Sequence, residues 1–224
     1  MLNVNGIVYW HTSDRKADVM EDINNMEELF RQIEDHLLQD ERPSEYLEQI
    51  SREPWFFDYP FLMLAKMKET PQSKRFHPEG SVWNHTMMVV DEAAKRKKES
   101  KDARTFLWAA LLHDIGKPGV TKNRKGKITA YDHDSEGEQL AVDFLSCFSG
   151  DIPWIRRVAK LVRYHMHILY VTEKLPFGDV SGMKRDTDIN EVALLGLCDR
   201  IGRGGSIIDD ETKAVSNFKK LMKS

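Results

Sequence analysis

The sequence predicts an all-α bundle of about eight or nine helices. Apolar residues recur at i, i+3 and i+4 in one segment after another. Helix-start and helix-stop residues bracket those segments. Strand-like patterning is thin, with only "GIVYW" (6–10) and "KITAYD" (127–132) as candidates.

The first helix is "DINNMEELFRQIEDHLLQ", with Ile23, Met26, Leu29, Phe30 and Ile33 on one face. "PSEYLEQISRE" follows with Pro43 at its start, and "DYPFLMLAKMKE" is the third. "EGSVWNHTMMVVDEAAKRKKE" begins near Ser81 and ends in a basic turn that suits the helix dipole. "DARTFLWAALLHD" has Asp102 as its N-cap and is expected to stop at Gly116-Lys117-Pro118, the glycine serving as C-terminal cap. "SEGEQLAVDFLSCF", "PWIRRVAKLVRYHMH", "DINEVALLGLCDRIGR" and "DETKAVSNFKKLMK" complete the set. "VTKNRKGKITAYDHD" is an irregular basic insert carrying Lys122, Arg124, Lys125 and Lys127. It reads either as a solvated loop or as the mouth of an anion site.

Bulk properties narrow the function classes. A 224-residue chain with 41% hydrophobic and 31% charged residues is long enough for one well-cored domain. A net charge of −3 supplies no argument for non-specific nucleic-acid binding, although it allows a local basic patch. Cys147 and Cys198 lack CxxC spacing and read as small core residues in a reducing compartment. The first residues do not resemble a signal peptide, and the apolar runs are too short to span a bilayer. A cytoplasmic protein without membrane association is expected.

Two apolar helices end in acids. "LWAALLHD" delivers His113-Asp114 and "ALLGLCD" delivers Asp199 where a core should be. A buried carboxylate is costly without a partner or a metal. Six of the eight histidines lie between positions 77 and 167, at the ends of predicted helices. His11 and His36 lie apart, His36 as a surface residue. Imidazoles with carboxylates suit borderline to hard divalent ions, and helix ends can converge in a bundle. Each histidine taken singly is equally compatible with a structural place in the core.

"HPEGSVWNHT" (77–86), "ALLHDIGKP" (110–118), "DHDSEGEQLA" (132–141), Tyr164-His165 and "CDRIGRG" (198–204) follow the order of the HD-domain metal phosphohydrolases. The region from Pro60 to Gly204 resembles the HD domain of bacterial CCA-adding tRNA nucleotidyltransferases. No Gly-Gly segment with a carboxylate pair marks a nucleotidyltransferase head, so the module is expected to stand alone, without CCA addition. The implied organisation is an N-terminal helical extension (1–57), an HD phosphohydrolase domain (58–204) and a C-terminal helix (205–224) packed on it.

The resemblance implies one ion held by His85, His113, Asp114 and Asp199. A second would use His133 and His165, with Asp114 bridging; His167 is the rival to His165. His77 is expected outside the ligand set, touching substrate or fixing the helix start. The ion is Mn, Ni, Co, Fe or Mg, its identity open. Asp114 is the implied holder of the attacking hydroxide, with Lys117 and Arg203 reaching phosphate oxygens; Lys117 reads equally as a helix cap. The implied activity is hydrolysis of phosphomonoesters or 2′,3′-cyclic phosphodiesters on nucleotides or RNA ends. The alternatives are a small-nucleotide hydrolase and a non-catalytic nucleotide sensor. An RNA substrate would be favoured by a basic path joining Lys122–Lys127 to Arg156, Arg157 and Lys160. Residues 1–57 are left to cover the core, form a homodimer or recruit a partner.

Overall fold

The computed structural model describes the backbone of residues 12–223 and the side chains of residues 26–223. His11 and the "GIVYW" segment lie outside the described residues. The rest is an all-α bundle carrying one small hairpin. Its helices are α1 (Thr12–Gln39), α2 (Pro43–Ile50), α3 (Leu62–Glu69), α4 (Val82–Arg96), α5 (Ala103–Leu112), α6 (Lys117–Val120), α7 (His133–Ser146), α8 (Ile152–Tyr164), α9 (His167–Thr172), α10 (Val180–Asp186), α11 (Ile189–Ile201) and α12 (Ile208–Lys223). Strands β1 (Lys122–Arg124) and β2 (Lys127–Thr129) pair antiparallel, Arg124 opposite Lys127.

The additions to the expected helices are short. α6 contains Pro118 and Gly119, which read in sequence as a stop. α9 is separated from α8 by a turn at His165-Met166, where neither Gly nor Pro announces a break. α10 has seven residues, too few for a clear period, and is capped by Asp179, which accepts from the Gly182 N–H at 2.8 Å. The basic insert forms a hairpin instead of an irregular loop, because Lys125 (φ 52°) and Gly126 (φ 82°) take the left-handed conformation a two-residue turn requires.

α5 is apolar on all sides and is buried from Thr105 to Leu112, which makes it the central element. α4, α8, α11 and α1 pack around it. Phe30 of α1 stacks on Trp108 at 4.5 Å and on Phe148 at 4.6 Å. Glu34 accepts from Trp108 Nε1 at 2.8 Å and Arg104 Nε at 2.7 Å. Losing that acceptor would strand a buried indole N–H, at a cost of about 1–3 kcal/mol. Phe30, Ile33 and Leu37 thus share one core with α5. The α4 and α5 N-termini are capped by Ser81 and Asp102, which accept from Asn84 N and Thr105 N.

Two expectations are corrected. Cys198 is buried but Cys147 is exposed, at the last turn of α7 where the chain leaves the core. Gly116 does not cap α5 in a left-handed conformation: its φ is −77°. Its lack of a side chain serves close approach. A Cβ there would lie 2.1 Å from the His133 carbonyl oxygen and 2.6 Å from Gly137 N. The glycine therefore lets the end of α5 press against the start of α7.

Candidate metal centre

Four helix ends and one helix interior meet beside that contact. His85 sits on the first turn of α4, His113-Asp114 follow α5, His133 opens α7, His165 ends α8, and Asp199 lies on α11. All six are buried. His113 Nε2 lies 3.3 Å from Asp114 Oδ2, and His133 Nε2 and His165 Nε2 lie 3.4 and 3.8 Å from Asp114 Oδ1. His85 Nε2 is 3.9 Å from Asp114 Oδ2 and 3.1 Å from Asp199 Oδ1. His85, His113 and Asp114 form one cluster of potential ligand atoms, and Asp114, His133 and His165 a second. Asp114 belongs to both.

The ring nitrogens reveal the tautomers. Nδ1 of His113, His133 and His165 faces the carbonyl oxygens of Ala110, Ala130 and Val162 at 2.8, 2.7 and 2.6 Å. A carbonyl only accepts, so each Nδ1 carries the proton and each Nε2 presents a lone pair. Three lone pairs thus point at one carboxylate, and the His133 and His165 Nε2 atoms face each other at 3.3 Å. His113 Nε2 and both Asp114 oxygens are buried without a hydrogen bond, although Lys117 Nζ lies 2.7 Å from Oδ2. This donor set fits divalent cations, and backbone carbonyls hold the rings as metal ligands are commonly held.

Electrostatics agree with that fit. Burial holds His165 down to about 3 and also lowers His133, so both rings are neutral near pH 7. Burial works against the Asp114 carboxylate, but the Lys117 ammonium 2.7 Å away outweighs it and keeps Asp114 well below the usual range. Asp199 is held low in the same way by Arg203 and His85. Burial opposes charge on His85, yet Asp199 and Glu79 raise it.

The remaining predicted residues fall as follows. Lys117 Nζ points at Asp114 and donates to Gln72 Oε1 at 2.6 Å, so its ammonium faces the centre instead of capping α5. Arg203 Nη2 bonds both Asp199 oxygens, at 3.1 and 3.0 Å. His167 is turned away: its Nε2 accepts from Asp179 N at 3.0 Å. His165 is therefore the residue brought to Asp114.

Glu79, Gln72 and the Asp134–Arg163 pair escaped sequence reasoning. Glu79 Oε1 receives His77 Nδ1 at 2.8 Å and lies 3.1 Å from His85 Nδ1, while Oε2 accepts from Gly204 N. Burial opposes its ionisation, but these hydrogen bonds pull it down to about 2. Its only sequence signal was an acid two positions before the Ser81 cap. Arg157 pairs with Asp102, and Lys160 with Glu138 and Asp186, so two of the three α8 cations of the expected basic path are already answered by the chain's own acids. Among the described residues no helix is long and apolar enough to cross a membrane.

The centre opens into a cleft of about 440 Å³ lined by Gln72, Phe76, Thr129, Leu169 and Arg203 among others. Its size suits a small ligand.

Comparison with known proteins places these elements. The multifunctional CCA protein of Actinobacillus pleuropneumoniae is 40% identical over 52 residues, covering 23% of this chain and 12% of that protein. The namesake from Pseudomonas fluorescens is 35% identical over 63 residues, 28% of this chain and 14% of its own. The one from Halorhodospira halophila is 31% identical over 150 residues, 62% of this chain and 34% of its own. The chain thus spans between an eighth and about a third of the length of these relatives. The model of the HD domain matches residues 82–204, which contain every helix end that meets at Asp114. With that match extending over more than half of its length, the chain belongs to the HD domain family.

Proposed function

We propose that this protein is a divalent-metal-dependent phosphohydrolase acting on phosphomonoesters or 2′,3′-cyclic phosphodiesters of nucleotides or RNA ends. The observation that carries the reading is the convergence of three Nε2 lone pairs on the two oxygens of one buried carboxylate. In this reading His85, His113, Asp114 and Asp199 hold one ion, and Asp114, His133 and His165 a second. Mn, Fe, Co, Ni and Mg all suit such ligands. The bound ions supply an activated water and neutralise phosphoryl charge. Asp114, oriented by Lys117 and kept ionised, would hold the ions and orient the attacking water. Lys117, steadied by Gln72, donates to a phosphate oxygen entering from the cleft. Arg203, held on both Asp199 oxygens through Nη2, would offer its remaining guanidinium N–H groups to the same phosphate. The apolar side chains of Phe76 and Leu169 flank the rest of the substrate.

The test is hydrolysis of 2′,3′-cyclic AMP and p-nitrophenyl phosphate after chelation and re-addition of single divalent ions, beside Asp114→Ala. Activity restored by an ion in the wild-type protein and absent in the variant, with bound metal lost in parallel, is the expected outcome. No hydrolysis of either compound with any ion would refute the reading.

A further inference from the structure

A second, larger cleft of about 820 Å³ lies beside the metal centre, between the loop that follows α3 and the tip of the β1–β2 hairpin. The two clefts are continuous: Gln72, Ser73, Phe76 and Ile128 line both. We propose that the larger cleft is a groove for a single-stranded oligonucleotide, so that the substrate is a terminal phosphate carried on a chain. The groove's occupant is argued from its own chemistry; only the placing of the strand's end at Asp114 rests on the phosphohydrolase reading.

Charge is the first argument. Residues 70–76 and 120–131 carry Lys74, Arg75, Lys122, Arg124, Lys125 and Lys127 and no acid, in a chain of net charge −3. Among the described residues none of these six is ion-paired, whereas Arg96, Arg104, Arg163, Arg200 and Arg203 all are. Glu69 is the single acid on the groove wall. Unpaired cations held together repel one another, and a polyanion relieves that repulsion.

An aromatic is the second argument. Phe76 is 58% exposed at the junction of the two clefts, with the Arg75 guanidinium 5.2 Å from its ring centre. An exposed ring beside cations is how single strands are bound without sequence preference, bases stacking on the ring and phosphates tracking the charge. Both walls are fixed. Phe76 N and His77 N bond Ser73 O at 3.0 and 2.8 Å, and Gly126 N bonds Asn123 Oδ1 at 3.0 Å across the hairpin turn. A mononucleotide held at Asp114 would leave the wall cations Lys74, Arg75 and Lys127 unused. Further phosphates on the same strand would meet them.

The test is competition against 5′-fluorescein-labelled hexauridylate, read by anisotropy on the full chain in chelator, so that neither metal nor turnover contributes. Unlabelled hexauridylate should compete at least about tenfold better than UMP, and its affinity should fall with salt with a log–log slope of about −2, as for three phosphates. Phe76→Ala and the double variant Lys74→Glu/Lys127→Glu, which reverses two cations of the groove wall, should each weaken the hexanucleotide by about tenfold and narrow its advantage over UMP. These side chains are exposed, so unchanged melting temperatures will separate lost binding from lost folding. Equal competition by UMP and hexauridylate, or variants that bind like the wild type, would overturn the proposal. Hexauridylate binding in a protein that hydrolyses no phosphate ester with any ion would sink the phosphohydrolase and leave the groove.

Discussion

Replacing Gly116 by alanine tests how the centre is assembled. The added Cβ would stand 2.1 Å from the His133 carbonyl oxygen, 2.6 Å from Gly137 N and 3.0 Å from Gly137 Cα. All three are backbone atoms, so no rotamer change relieves the contact. Restoring a separation of about 3.5 Å requires the start of α7 to retreat by more than roughly 1 Å. Overpacking of this kind costs about 1–3 kcal/mol, and a rigid backbone neighbour places it at the upper end. Alanine recovers about 0.4–1 kcal/mol by restricting the unfolded chain, leaving a net loss of about 2–2.6 kcal/mol. For a chain of this size each kcal/mol moves the melting temperature by about 2–4 °C, so a drop of roughly 4–10 °C is expected. The same retreat carries His133 away from Asp114, now 3.4 Å distant, and should lower the bound-metal content. Gly137→Ala is the control, because its closest clash is the Val162 Cγ1 methyl at 3.0 Å, a side chain that can yield. Thermal unfolding by circular dichroism and metal analysis of both variants supply the readings. If Gly116→Ala melts with the wild type and retains full metal, the close approach does not organise the site.

Two other consequences concern charge. Glu79 holds His85 through Nδ1, so Glu79→Gln should weaken metal binding by about 10–100-fold in a direct titration with little change in melting temperature; unaltered affinity would deny it that positioning role. Burial lowers His133 and His165 below the ordinary histidine value of 6.5, the latter to about 3, so the unfolded chain binds more protons than the folded one below that value. Their contribution is present above pH 6.5 and is lost as pH falls towards the folded values, while the raised His85 acts in the opposite sense. Chelated protein should therefore lose up to about 1.4 kcal/mol per pH unit for each lowered histidine between pH 6.5 and 5. A melting temperature that is flat or rises over that interval would contradict the neutral-imidazole assignment.

What the sequence made legible is local, and what it hid is mutual. The apolar face of α8, the Asp102 and Ser81 caps and the apolar Phe106–Leu112 run of α5 each follow from neighbours a few residues apart, and the helices appear where those patterns put them. The two acids that end apolar runs were legible for the same reason, since a charge in a core is anomalous wherever the rest of the fold lies. Gly116 shows the limit. In sequence, Gly-Lys-Pro reads as a helix stop, and a stop occurs there, but the glycine is needed because α7 comes within contact of it. Glu79 and Gln72 are of that second kind. Nothing in "TPQSKRFHPEG" marks Gln72 as the partner of a lysine 45 positions away, because the pairing exists only after α3 and α6 meet. His165 and His167 make the same point within one segment. Spacing separates the two rings but does not say which faces inward; the unsignalled turn between α8 and α9 decides it, sending His165 to Asp114 and His167 to Asp179. A buried charge can thus be found from sequence alone, whereas the groups that answer it depend on distances that only the packed helices define.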